Sequence, residues 1–115
     1  MKSKVVHGDV GNFLKNLKDE SIDLIVTSPP YNIGKEYENR TTIVKYLEKQ
    51  KQVISELIRV LKPKGSIAWE VGNYIHEKEV YPLDFYYYEI FKDLGLKLRN
   101  RIIWKFGHGL HANFR

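Results

Sequence analysis

Short apolar runs alternate along this chain with segments of helical period, and that alternation limits the possible folds more than any other feature. Lys4 to His7 is an apolar run ending at Gly8-Asp9, which predicts a first strand. Val10, Phe13, Leu14 and Leu17 follow at helical spacing. Ile22 to Val26, with Asp23 its only charge, predicts a second and buried strand. Ser28 to Arg40 holds two prolines and a glycine and reads as a loop. Thr41-Thr42 can then cap a helix whose apolar face is Ile43, Leu47, Ile54, Leu57, Ile58 and Leu61, about five turns long. Lys62-Pro63-Lys64-Gly65 predicts its end. "SIAWEV", Ser66 to Val71, predicts a third strand, and Tyr74 to Val80 a polar connection. Leu83, Tyr86, Tyr87, Ile90, Phe91 and Leu94 predict a last helix, stopped at Gly95. Leu98 to Phe106 predicts a fourth strand, and Gly107 to Arg115 has no periodicity.

The order β-α-β-loop-α-β-α-β implies an α/β domain with a mostly parallel sheet and flanking helices. Such sheets bind ligands beyond the carboxyl ends of their strands. Asp9, Ser28-Pro29-Pro30-Tyr31 and Gly72-Asn73 all fall at predicted strand ends, so they are expected to share one rim. With 115 residues the chain has room for one domain. It has no apolar run long enough to span a bilayer, and its basic first residues are not followed by an apolar stretch, so neither membrane anchor nor signal peptide is expected. The absence of cysteine removes disulfides, thiolate nucleophiles and cysteine zinc sites, and fits a cytoplasmic protein. His7, His76, His108 and His111 lack the spacing of a metal site, so no metal is expected. A net charge of +5 suits a polyanion partner, and also simple solubility.

The residues that carry chemistry follow the second strand. Proline fixes its φ and has no N–H to donate, and the residue before a proline is pushed to extended geometry. Ser28 and Pro29 both precede a proline. The backbone there is therefore stiff, and its carbonyls, that of Pro29 among them, are expected to be open to a ligand. Ser28 adds a hydroxyl and Tyr31 a flat ring. Two acceptors beside an aromatic wall suit a planar base bearing an exocyclic amine. A base in a duplex reaches such a slot only when extruded, at a cost of a few kcal/mol. Stacking on an aromatic returns about 1–3 kcal/mol.

"TSPPYN", Thr27 to Asn32, resembles the catalytic motif of DNA amino-methyltransferases, in which Asp, Asn or Ser precedes Pro-Pro-Tyr. The preceding "HGDVGNFLKNLKDESIDLIV", the following "ELIRVLKPKGSIAWEVGN" and "RIIWKFG" resemble the same family in the same order, over nearly the whole chain. The resemblance implies a partial Rossmann-like fold that uses S-adenosylmethionine. It also implies methyl transfer to N4 of cytosine or N6 of adenine in double-stranded DNA. Ser28 and the Pro29 carbonyl would hold the target amine, and Tyr31 would stack on the flipped base; Pro30 completes the catalytic motif. No covalent enzyme intermediate is needed. Ser at position 28 is more typical of the N4-cytosine group, and adenine stays open. Asp9 resembles the family's acidic position near the cofactor's adenosine, with Thr27 and Ser28 also facing the cofactor. Asp9 is also placed to be the N-cap of the next helix. Tyr31, Asn32 and Lys35 would face DNA.

In the permuted branch of this family, a target-recognition region and then a Phe-x-Gly-x-Gly cofactor motif follow the Ser-Pro-Pro-Tyr half. "FGHG", Phe106 to Gly109, has the wrong spacing for that motif and reads as a loop. Residues 1–106 are therefore expected to be the catalytic-motif half of the methyltransferase domain, and 107–115 the start of a truncated target-recognition region. A complementary chain carrying the glycine-rich motif is a candidate partner. Two other readings are a basic module that only binds nucleic acid and a catalytically incomplete fragment.

Overall fold

A computed structural model describes residues 2–30, 32 and 42–105. Helix α1 spans Val10–Leu14, strand β1 Ile22–Thr27, helix α2 Ile43–Val60, strand β2 Leu61–Trp69, strand β3 Asn73–His76, strand β4 Glu79–Pro82 and helix α3 Leu83–Asp93. The architecture is α/β, with β1 and β2 paired in parallel and helices against them. This agrees with part of a methyltransferase fold.

The β1–β2 pair follows its alternation closely. Ile25, Thr27, Ile67 and Trp69 are partly buried on one face. Ile25, Ile67 and Trp69 pack with Leu14, Leu57 and Val60, and so with α1 and α2. Successive strand residues point to opposite sides. Leu24, Val26, Ser66 and Ala68 therefore lie on the other face, and all four are exposed. A parallel sheet normally has both faces covered. This one has a single face covered among the described residues.

The second core cluster joins α2 and α3. Tyr46 and Ile54 from α2 meet Tyr74 of β3 and Leu83, Tyr87 and Ile90 of α3. Leu83, Tyr87 and Ile90 recur at steps of four and three, the spacing of one helix face. Ile54 and Leu83 are wholly buried. Tyr87 is buried while Tyr88 beside it is exposed, so the Tyr86-Tyr87-Tyr88 run serves packing on one side of α3.

Arg59, near the end of α2, holds the first segment in place. Its guanidinium donates to the carbonyls of Leu14 and Leu17 at 2.7 and 3.0 Å, and to Asp19 and Glu56 at 2.6 and 3.0 Å. The two carbonyls lie at and just beyond the end of α1, where helix carbonyls have no partner within the helix. The Glu20 and Ser21 amides donate to the Arg59 and Val60 carbonyls, fixing where β1 begins.

Three expectations from the sequence are corrected. Lys4 to His7 is not a strand: residues 2–9 are exposed and irregular, with Val5 98% exposed. A strand needs a neighbour for its backbone groups, and among the described residues none is supplied. For the same reason residues 98–105 are irregular and exposed rather than a fourth strand, with Ile102, Ile103 and Trp104 all on the surface; Phe106 lies outside the described residues. Tyr74 to Val80 is not a plain connection but most of a hairpin, with Asn73 opposite Pro82 and His76 opposite Glu79. Its two turn residues, Glu77 and Lys78, have φ of 51° and 66°, as a type I′ turn requires.

Lys62 to Gly65 ends α2 as expected, yet it continues straight into β2. Between the pairs Ile22–Leu61 and Leu24–Ser66, β1 advances two residues and β2 five. The excess is a bulge that contains Pro63, which has no N–H for a ladder, and Gly65.

Candidate active site

Thr27 ends β1, and Ser28-Pro29-Pro30 leaves its carboxyl end. Thr27 stands opposite Trp69 in the parallel register, and its carbonyl accepts from the Glu70 amide at 3.0 Å. The motif therefore starts where both strands finish, as the fold class requires of a ligand site. Ser28 and Pro30 are exposed and Pro29 between them is buried. A buried proline between exposed neighbours anchors the turn by packing and needs no hydrogen bond there.

The Pro30 carbonyl is engaged. The Tyr46 hydroxyl, from the first turn of α2, donates to it. Tyr46 is itself buried, and its oxygen lies 2.6 Å from the Tyr87 hydroxyl of α3. The two rings meet edge to face, 6.4 Å apart at 82°. Trp69 closes the group from below, its ring 5.3 Å from that of Tyr87. The Trp69 indole N–H is buried without a hydrogen-bond acceptor among the described residues. Burial, and then the hydrogen bond with Tyr46, push the Tyr87 hydroxyl far above its ordinary pKa, against a weaker opposing pull from Trp69. Tyr87 is thus a neutral hydroxyl at any physiological pH.

Asp9 is the N-cap of α1. Its carboxylate accepts from the Asn12 amide at 3.1 Å, and its backbone is extended, with φ −73° and ψ 132°. The capping role foreseen for it is therefore filled by one carboxylate oxygen, and the side chain remains exposed. Asn32 is 1% exposed and has φ of 62°, a left-handed conformation that Asn tolerates better than most residues. It turns the chain from a buried position. Tyr31 and Lys35 lie outside the described residues. Among the described residues, no three His, Asp or Glu side chains cluster as a metal site would. No helix among them is long and apolar enough to cross a membrane.

Tyr46, Trp69 and Tyr87 were not singled out as site residues by the sequence. Tyr46 does carry a signal, since it falls eight residues before Ile54 and eleven before Leu57, on the same face of α2. Nothing in the sequence indicates that its hydroxyl reaches residue 30.

The DNA methylase family model matches residues 22–114, from β1 through the end of the described chain and beyond. The type II methyltransferase M.BglII of Bacillus subtilis is 47% identical over 112 residues, which is 96% of this chain and 31% of that protein. The type II methyltransferase M.HpaI of Haemophilus parainfluenzae is 36% identical over 115 residues, 96% of this chain and 34% of that protein. The DNA adenine methyltransferase YhdJ of Escherichia coli is 41% identical over 66 residues, 55% of this chain and 22% of that protein. The chain spans about a third of the length of the first two. A proline-rich turn at the end of a parallel strand gave the chemical reading. The family match across β1 to α3 and the two relatives that share nearly its whole length place it among known proteins, and this chain belongs to the DNA methylase family of N6/N4 amino-methyltransferases.

Proposed function

We propose that this chain carries the amine-binding half of an S-adenosylmethionine-dependent DNA methyltransferase, acting on N4 of cytosine in double-stranded DNA. The observation that carries this reading is the placement of Ser28-Pro29-Pro30 at the carboxyl end of β1, with Ser28 exposed and Pro29 packed down. In this reading the Ser28 hydroxyl and the Pro29 carbonyl accept hydrogen bonds from the exocyclic amine of a flipped base. Both bonds favour a nitrogen whose lone pair is localised rather than spread into the ring. Tyr31 would be the stacking platform and Lys35 would face the DNA, while Asn32, buried in the structure, would act on the DNA only through the shape of the turn. Catalysis of this kind consists of positioning and electrostatics.

S-Adenosylmethionine supplies an electrophilic methyl group when bound. The donor set here fits its nucleoside end. Asp9 presents an exposed carboxylate, one oxygen of which serves the helix cap and the other of which suits a hydroxyl or amine donor. Thr27 and Ser28, at the end of β1, would face the same group. The glycine-rich cradle for the methionine end is assigned to a complementary segment. Two features support that assignment: the chain's third-length match to its relatives, and the uncovered Leu24–Val26–Ala68 face of the sheet. In this scheme residues 1–106 form the motif-bearing half, 107–115 open the target-recognition region, and the protein works in the cytoplasm where its DNA is.

The resemblance to an adenine methyltransferase over 66 residues favours N6 of adenine as the second reading. Nucleoside mass spectrometry separates the two. The 115-residue chain, completed with a segment bearing the glycine-rich motif, is incubated with DNA and cofactor. N4-methylcytosine supports the first reading and N6-methyladenine the second. Absence of both, with the completed protein folded and binding cofactor, overturns the assignment.

A further inference from the structure

The hydroxyl group of a tyrosine has one proton to give, and this sets the direction of the contacts around Pro30. The Pro30 carbonyl can only accept, so Tyr46 donates to it. With that proton committed, the bond between the Tyr46 and Tyr87 oxygens must be donated by Tyr87. The Tyr87 oxygen keeps its lone pairs, and the Trp69 ring, whose N–H has no hydrogen-bond partner among the described residues, lies 5.3 Å from the Tyr87 ring. The result is a directed chain from α3 through α2 to a main-chain carbonyl of the motif, buried between the two tyrosines and part-buried where it meets Pro30. A hydroxyl that accepts one bond becomes a stronger donor of the next, so such chains reinforce themselves.

We propose that Tyr46 and Tyr87 are positioning residues for the Ser28-Pro29-Pro30 turn: their relay gives the Pro30 carbonyl a donor of its own and fixes the direction in which that carbonyl points. The inference rests on the amine-binding role proposed above. Two consecutive prolines offer two carbonyls with no competing N–H groups. An amine slot needs a single defined acceptor beside Ser28. The relay biases the choice by turning the Pro30 carbonyl toward Tyr46, which leaves Pro29 to supply the acceptor. It also ties the Pro30 carbonyl to two helices, α2 directly and α3 through Tyr87. Tyr46 and Tyr87 touch no substrate in this scheme and act only through the motif.

The test reads the carbonyl directly. The 115-residue chain is labelled with proline carrying a 13C carbonyl, which gives four proline signals. Tyr46→Phe is expected to move the Pro30 carbonyl resonance upfield, as loss of a hydrogen bond does, while the other three stay. Tyr87→Phe, which leaves Tyr46 able to donate, moves the same resonance in the same sense by a smaller amount. Placing 3-fluorotyrosine at position 46 makes that hydroxyl a stronger donor and moves the resonance the other way; this variant keeps the bulk of Tyr46 if the phenylalanine variant fails to fold. A Pro30 carbonyl that ignores the Tyr46 substitutions, or that responds equally to Tyr46→Phe and Tyr87→Phe, overturns the relay. Methyl transfer by the completed enzyme separates the relay from the reading it rests on. If the carbonyl shifts as stated but no variant and no parent transfers methyl, the relay stands and the amine-binding role fails. If the parent transfers methyl and Tyr46→Phe retains full kcat with an unmoved carbonyl, the role stands and the relay fails.

Discussion

Gly65→Ala probes the joint between the two strands that carry the motif. Gly65 lies in the bulge where β2 gains three residues on β1, and a Cβ placed on it would stand 2.9 Å from the Asp23 carbonyl oxygen and 2.7 and 2.8 Å from Cδ1 and Cγ of Leu61. Ordinary contacts of this type lie near 3.5 Å, so β1 must give by about 0.6 Å and the Leu61 side chain by about 0.8 Å. Neither moves easily. The oxygen belongs to the backbone of β1, and Leu61 is buried. Overpacking of this kind costs about 1–3 kcal/mol. At about 2.1 cal/mol/K of unfolding entropy per residue, a chain of 115 residues loses about 4 °C per kcal/mol, so Tm should fall by about 4–12 °C. Thermal unfolding by circular dichroism measures this, with Ser66→Ala as the control. Ser66 is the next residue and exposed, and its change should stay within about 0.5 kcal/mol, or 2 °C. Amide exchange in β1 should quicken in Gly65→Ala and not in the control. A Tm within 2 °C of the parent would falsify the close approach and, with it, the bulge that sets the strand register.

Further outcomes are expected elsewhere in the molecule. Ile54→Ala removes a fully buried side chain between α2 and α3 and should cost about 2–5 kcal/mol, read as a fall in the urea midpoint at unchanged slope. Asp9→Ala should cost about 1 kcal/mol of stability through the lost cap of α1, whereas Asp9→Ser should keep the cap; cofactor affinity of the completed enzyme should fall in both if the carboxylate holds the nucleoside end. Burial raises the Tyr87 pKa above its unfolded value of about 10, so the stability tied to its neutral form is fully present below pH 10 and declines above it by about 1.4 kcal/mol per pH unit. Urea unfolding at pH 9 to 11 should show this slope in the parent and its loss in Tyr87→Phe; parallel slopes would remove Tyr87 as the cause.

The parts of the fold legible in the sequence are those fixed by local pattern. The apolar run of Ile22 to Val26 and the apolar face of Ile43 to Leu61 each specify an element without outside help, and β1 and α2 fall where that pattern puts them, although β1, expected to be buried, leaves Leu24 and Val26 exposed. The outer strands were not so fixed. Lys4 to His7 and Leu98 to Phe106 have strand-like composition, but a strand exists only through its neighbour, and composition says nothing about whether one is present. The hairpin was hidden for another reason. Glu77-Lys78 takes positive φ at both positions without the Asn-Gly signature that usually announces a type I′ turn. At the site, Ser28-Pro29-Pro30 could be read from side-chain chemistry alone. The partner of the Pro30 carbonyl could not, because it links positions 16 residues apart and then a further 41, and such pairings are decided by packing.

The same linkage sets a lower limit on how small a working piece can be. The motif ends at residue 31, yet the groups that hold its backbone sit at positions 46, 69 and 87. In this scheme the Ser-Pro-Pro turn is made well before the relay that supports it, which is complete only once α3 has been made and has docked. A chain cut after residue 93 keeps both tyrosines of the relay with the turn, whereas a cut between residues 32 and 45 removes both and a cut between residues 46 and 86 removes Tyr87.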